Sequence, residues 1–375
     1  MSESTAGTPG LQSRHRGRFS QVRIYLAKFF RMFVYKSDWK MLPMATVISA
    51  VVAMVVQPGM FVTMDGTLFG AFALSCVCIW NGCFNSIQVV CRERGIIKRE
   101  HRSGMHISSY ILSHMIYQAF LCLCQTVLLV IVSYQIGVKF PKEGFITNIF
   151  LLDFGFSIFL VTYASDMLGL FVSSFVRNTT LAMTIMPFIL IFQLVFSGGF
   201  FSLPEWSRPL TNITISQYGL RSIASLGDFN GLPSYTAWNT LYGMRDTKLE
   251  KNLTVEELFT MLQSEPVRKI LRDYRLDGST TVNELVDIIV ESGIMEPYSD
   301  KEFDFHLRLG DVIDAAGEVR VRDLITDQMK TIGYQAEYEK SEDNILGCWG
   351  MMILFSLGFA ALAMIALEFI DKDKR

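Results

Sequence analysis

Residues Ile107–Ile136 read ISSYILSHMIYQAFLCLCQTVLLVIVSYQI, thirty positions without one Asp, Glu, Lys or Arg. About 20 apolar residues let an α-helix cross a bilayer, so this run predicts a span long enough to tilt or to begin with an interfacial turn. Five further apolar runs accompany it, roughly Leu42–Val62, Thr67–Val90, Phe145–Val172, Leu181–Phe201 and Ile345–Ile370. Pro43 falls in the first turn of the first run, where its missing N–H is harmless. The expected fold is an all-α polytopic membrane protein with six transmembrane helices. Composition agrees: of 375 residues half are hydrophobic, only 19% are charged, 29 are Phe, and the mean hydropathy is +0.32. Soluble domains carry about 25% charged residues. Disorder, a coiled coil and a nucleic-acid-binding arm are excluded by the same composition, and no nucleic-acid partner is expected.

Charge placement orients the spans. Eight Lys/Arg precede Leu42, five lie in 92–106, one in 173–180 and three after Ile370, while the short opposite loops hold only Lys139 and Lys142. The positive-inside rule then puts both termini and the two basic loops in the cytoplasm, with the chain in the cell membrane. The N-terminal stretch lacks the apolar core and cleavage site of a secretory signal, and residues 1–18 are expected to form a disordered basic tail. Residues 202–344 fall outside; they contain 15 Lys/Arg against 25 Asp/Glu and none of the seven Cys, so a disulfide-stapled ectodomain is excluded. The near-neutral total of −2 is thus the sum of a basic body and an acidic outer segment.

Two cytoplasmic segments carry mechanism. In 19–40, Val22, Leu26, Phe29, Phe30 and Phe33 recur at three- and four-residue spacing, with Arg23, Lys28, Arg31 and Lys36 around them. This predicts an amphipathic helix in the inner interface, with a surface helix packed on a partner as the alternative. The segment between spans two and three reads Val90-Cys-Arg92-Glu93-Arg94-Gly95-Ile96-Ile97-Lys98-Arg99-Glu100-His101-Arg102-Ser103-Gly104. A positive-inside loop would account for its Lys/Arg excess alone. Interleaved Glu and Arg around two Ile also suit a docking element, which forms ion pairs while pressing an apolar patch into a partner.

The run R-E-R, K-R-E, G-M and then Ser108-Ser-Tyr-Ile-Leu-Ser113 resembles the cytoplasmic loop of ABC type-two permeases, in particular the G (white, pigment-transporter-like) subfamily. A second match follows span five: Ser197-Gly-Gly-Phe-Phe, Leu203-Pro-Glu-Trp206, Ile215-Ser-Gln-Tyr218-Gly-Leu-Arg221 and Asp228-Phe-Asn-Gly231 are similar to that family's re-entrant turn and linker, here 202–232. The resemblance covers most of 19–232 and the last span, 345–375; within it 19–40 looks like the connecting helix and 41–201 holds helices one to five. It implies that Arg92, Glu93, Arg94, Lys98, Arg99, Glu100 and Arg102 couple to an ATPase, that the chain pairs with a second permease subunit in a homo- or heterodimer, and that it exports its cargo. Two departures stand out. His114-Met-Ile-Tyr-Gln118 replaces the family's frequent Glu-x-Pro in span three, and 233–344 is longer than the usual loop. No G-x-x-x-x-G-K-[ST] occurs, nor any Gly-Lys dipeptide, so ATP and magnesium are expected on a separate ATPase subunit. The chain itself is expected to be a non-enzymatic transport subunit without a cofactor.

Asn81, Asn85 and Gln88 lie at i, i+4 and i+7, on one face of span two. Amides facing lipid are costly, so this face should turn inward, as interhelical glue or as a pathway lining. Phe188 and Phe192, with Phe84, are further lining candidates. Asp153 and Asp166 in span four are expected near water at the span ends, a proton relay being the lesser reading.

The segment 233–344 is expected to be a mainly helical, acidic extracytoplasmic domain between helices five and six. Thr254-Val-Glu-Glu and Thr281-Val-Asn-Glu are capping boxes. Asp273, Asp277 and Glu284 occupy positions one, five and twelve of an EF-hand-like loop, but Arg275 puts a cation at position three, and an Asp-Gly turn before a capped helix explains the sequence without calcium. Gly317 and Asp323 form a weaker copy. The favoured reading is the permease subunit of an ABC exporter, its Phe-rich bundle suited to a small, lipid-like or amphipathic cargo and surrounded by membrane lipid. The alternative is a non-transporting polytopic receptor or scaffold that displays the acidic domain; co-purification of an ATPase separates the two. A membrane enzyme has no motif to support it.

Overall fold

The computed structural model describes residues 17–35, 38–199, 204–246 and 308–369. They form helices and turns, with no β-strand element among them. Two compact units result: Met1–Phe61, Asp65–Gly227 and Lys340–Arg375 make the first, Val62–Met64 and Asp228–Glu339 the second.

In chain order the helices are α1 (Arg18–Tyr35), α2 (Met41–Val56), α3 (Met64–Ser86), α4 (Val89–Arg102), α5 (Ile107–Ile136), α6 (Phe150–Phe175), α7 (Thr179–Val195), α8 (Arg208–Thr211) and α9 (Ile215–Leu226). Then come α10 (Leu232–Gly243), α11 (Leu309–Ala316) and α12 (Glu318–Met329) of the second unit, and α13 (Glu342–Glu368). Among the described residues four stretches are long and apolar enough to cross a membrane: Met64–Arg102, α5, α6 and α13. The apolar helices α2 and α7 have 16 and 17 residues. At 1.5 Å per residue they reach about 25 Å, less than the roughly 30 Å hydrocarbon core. The first expected span ends early because the chain turns after Val56; Phe61, at φ 59°, donates its N–H to Thr67 Oγ1 at 2.9 Å. Its ring packs on Phe150 and Phe154, which holds this rare backbone conformation. The fifth ends at Val195, ahead of Gly198 at φ 78°, so Ser197-Gly-Gly is a backbone break.

Helix α6 is the axis of the first unit and is buried on nearly every side. It meets α3 backbone to backbone: a Cβ on Gly82 would stand 2.2 Å from the Thr162 carbonyl, and one on Gly169 2.9 Å from that of Cys83. Small residues allow this approach where no water drives association. Toward α13, Trp349 Nε1 donates to Ser157 Oγ at 2.8 Å. Helix α9 is buried almost throughout, and its 12 residues are too few to cross a bilayer. Arg221 donates to Asn344 Oδ1 at 2.9 Å, and Asn344 Nδ2 to Ser225 Oγ at 3.0 Å, tying α9 to the first turn of α13.

The second unit comprises Val62–Met64 and Asp228–Glu339. Phe229 stacks edge-on against Tyr338, and Asn230 and Gln335 exchange two 3.0 Å hydrogen bonds. Gly317, at φ 86°, separates α11 from α12 and places Asp323 inside a helix. Residues 1–16, the capping boxes at Thr254 and Thr281, and the loop with Asp273, Asp277 and Glu284 lie outside the described residues.

Candidate functional site

Helix α4 carries the seven expected coupling residues. Its basic last turn, Arg99, His101 and Arg102, complements the helix dipole. It stops where Gly104 takes φ 96° and Met105 N–H reaches back to the Glu100 carbonyl at 3.0 Å. Its two faces differ in kind. Val90, Cys91, Glu93 and Ile97 are buried; Arg92, Ile96, Arg99 and Arg102 are exposed. Both acids turn inward. Lys28 of α1 donates to Glu93 Oε2 at 3.3 Å, and Tyr25 Oη to Glu100 Oε2 at 2.9 Å. Burial, then the Glu100 hydrogen bond and charge, raise the Tyr25 phenol above its ordinary range. Arg94 also has an internal role: Nη1 donates to the carbonyls of Ser174 at 2.9 Å and Val176 at 3.2 Å, at the end of α6. Of the seven residues, Glu93, Arg94 and Glu100 make the contacts just described, Lys98 is half-buried, and Arg92, Arg99 and Arg102 are exposed with Ile96.

Helix α1 lies along the first turns of α5. Ser109 and Ser113 donate to the carbonyls of Arg18 and Val22 at 3.2 and 3.1 Å. Phe29 is buried among Tyr110, His114 and Tyr117, with ring centroids 5.9, 4.0 and 5.8 Å away. Gln21 donates to the Gly104 carbonyl and accepts from His106 N–H. The face predicted from Val22, Leu26, Phe29, Phe30 and Phe33 therefore packs largely on the chain's own α5 and on the α4–α5 turn. Tyr25 and Gln21, which share that face, were hidden from an apolar periodicity by their polar ends. Ile24 and Val34 are exposed, as are Arg23 and Arg31.

The expected row Asn81, Asn85 and Gln88 is broken. Helix α3 ends at Ser86, so Gln88 leaves that face and becomes the residue that opens α4. Asn81 and Asn85 are buried. Asn85 exchanges two amide hydrogen bonds, 2.9 and 3.0 Å, with Gln125 of α5. Next to it Gln118 Nε2 donates to Ser86 Oγ at 2.8 Å, Ser86 Oγ to Asp166 Oδ1, and Cys122 Sγ to Asp166 Oδ2 at 3.2 Å. Asp166, expected in water near a span end, is fully buried in this cluster of α3, α5 and α6. Asp153 is buried as well. It accepts from the N–H groups of Phe145, Ile146 and Thr147 at 2.9–3.2 Å and so clasps the loop before α6. Hydrogen bonds within the protein account for both departures, Asp153 to the adjacent loop and Asp166 to residues of two other helices.

Between α3 and α7 lies an apolar cavity of about 270 Å³, lined by Trp80 and Phe84 on one side and Met183, Met186, Pro187 and Leu190 on the other. Its polar residue Gln193 is committed elsewhere. Its Oε1 accepts from Ser216 N–H at 3.1 Å and its carbonyl from the Ser216 hydroxyl, which pins α7 to the start of α9. Phe188 and Phe192 are not among the lining residues; Phe188 is 70% exposed, on the outside of α7. Wall residues of these types accept a flat or irregular apolar molecule and offer it few hydrogen bonds. Among the described residues no group of three or more His, Cys, Asp or Glu is placed to hold a metal.

The sequence matches the family model of the ABC-2 type transporter over residues 20–226, more than half of the chain. No curated protein matches it. The chain belongs to the ABC-2 type transporter family, and this places α1 to α9 in the membrane domain of an ABC transporter. Such a domain works with an ATPase subunit and a transported substrate.

Proposed function

We propose that the chain is the permease subunit of an ATP-driven exporter. Two copies form the pathway, and a separately encoded ATPase docks on the outward face of α4. The observation that carries this reading is the sorting of charge on α4: both Glu face inward, while Arg92, Arg99 and Arg102 are exposed together with Ile96. A partner with an acidic rim and an apolar notch complements that face. In this reading α2 and α7 complete six spans, both termini are cytoplasmic, the membrane is the cell membrane, and the acidic second unit is extracytoplasmic. The apolar α3–α7 cavity suits a lipid-like or amphipathic cargo. ATP and magnesium belong to the partner, and this chain holds no cofactor and no calcium.

Nucleotide-driven closure of the ATPase pair displaces α4, and the bundle exchanges an inward-open for an outward-open pathway. The test is the double reversal Arg92→Glu and Arg99→Glu. Both side chains are exposed, so the variant should insert and accumulate like the parent. Co-purification of the ATPase and ATP-dependent transport should fall at least tenfold. A variant that still retains its ATPase at the parental level would sink the docking assignment.

A further inference from the structure

The passage from α3 to α4 is a single helical path of 39 residues, Met64–Arg102, broken only at Ile87 and Gln88. In an unbroken helix the N–H groups of Val90 and Cys91 would bond to the carbonyls of Ser86 and Ile87. Here both donate to one side chain, Ser173 Oγ of α6, at 3.0 and 3.1 Å. The return contact is made by Arg94, one turn further along α4, whose guanidinium caps the Ser174 and Val176 carbonyls where α6 ends. Each helix thus supplies the terminal hydrogen bonds that the other lacks. A carbonyl at the end of α3 is served in the same way: Gln118 Nε2 of α5 reaches the Asn85 carbonyl at 3.4 Å. Ser173 is fully buried.

From this reciprocal capping we infer that Ser173 and Arg94 are positioning residues. They hold the α3–α4 bend and make α4 and the end of α6 move as one body. The inference rests on the proposed docking of an ATPase on α4 and adds the route by which its motion enters the bundle. A displacement of α4 is delivered to α6, and α6 meets α3 at Gly82 and Gly169 and α13 at Trp349. The arrangement these contacts oppose is the straight helix, in which the Val90 and Cys91 amides would bond to the Ser86 and Ile87 carbonyls. Coupling requires an element with two discrete arrangements.

Two measurements on the full chain, alone and with its ATPase, test the assignment through Ser173→Ala, Arg94→Gln and Arg94→Lys. Hydrogen–deuterium exchange of the chain alone should show the 89–102 segment exchanging at least tenfold faster in Ser173→Ala and Arg94→Gln, with Arg94→Lys between these and the parent. In the complex, both variants should still co-purify the ATPase, while the increment in ATP hydrolysis that depends on the permease falls about tenfold, a size usual for coupling between sites. Unchanged exchange in 89–102 would overturn the inference whatever the ATPase does. Parental stimulation of hydrolysis would overturn it too, and so would loss of the ATPase itself, which would make these residues part of the docking surface. If the parent neither binds nor stimulates an ATPase, the transport reading fails, and the exchange data still decide whether the two residues hold the bend.

Discussion

The first unit has two polar layers built on opposite principles. Where α1 meets α4 and the start of α5, full charges are used: Lys28 faces Glu93, Tyr25 faces Glu100, and Arg94 caps α6. Between α3, α5 and α6, hydroxyl, thiol and amide groups converge on one carboxyl, Asp166, and the Asn85–Gln125 pair closes the cluster. The first layer is partly open to solvent; Lys28 keeps 32% of its side chain exposed. Water there shares the work of solvating charge, so ion pairs are tolerated at modest gain. The second layer is sealed, and in a low-dielectric interior each polar group needs its own partner. The difference teaches that charge is kept where α4 meets a partly wet boundary, and that within the helix crossing the sequence chooses neutral donors.

The largest effect is expected from breaking the first layer on its apolar side. Phe29 fills the space among Tyr110, His114 and Tyr117, and it fixes α1 so that Gln21, Tyr25 and Lys28 face their partners. Phe29→Ala should cost about 3–5 kcal/mol, the usual range for a buried Phe. It should appear as a lowered thermal midpoint and faster proteolysis of α1; an unchanged midpoint would show that α1 contributes little to the first unit.

A somewhat smaller loss is expected in the second layer. Asp166→Leu removes the acceptor shared by Ser86 and Cys122 and strands buried donors, at about 1–3 kcal/mol. Asp166→Asn keeps an acceptor oxygen and the shape, and should retain most of that stability. Equal losses in the two variants would show that hydrogen bonding is not what the cluster contributes.

Much of this was legible in the sequence. The apolar runs located α2, α3, α5, α6, α7 and α13, and the charge pattern around Ile96 marked α4. What stayed hidden depends on partners distant in the chain. Gln88 looked aligned with Asn81 and Asn85 because periodicity assumes an unbroken helix, and the bend at Ile87 and Gln88 is held by Ser173, more than eighty residues away. Asp166 read as a residue near water because nothing local announces Ser86 or Cys122. Residue type alone points to Phe188 and Phe192, whereas the side of α7 that meets Trp80 and Phe84 follows from the helix's rotation, which an apolar sequence leaves open.

The smallest stability effect, and the sharpest contrast, belongs to the outer face of α4. Arg92 and Arg99 are exposed, so neutralising them, Arg92→Gln with Arg99→Gln, should shift the thermal midpoint by the equivalent of no more than about 0.5 kcal/mol. Their influence should instead appear as a dependence on salt. The Debye length falls from about 10 Å at 0.1 M to about 3 Å at 1 M, so attraction between this face and an acidic partner weakens across that range, chiefly in the association rate. The Lys28–Glu93 pair, shielded on its Glu side, should hardly respond. The measurement is the association rate of the ATPase subunit with the permease in nanodiscs at several ionic strengths. A steep salt dependence that flattens in the double Gln variant assigns the outward arginines to encounter. The same slope in both proteins would leave Ile96 and the shape of α4 as the features the partner reads.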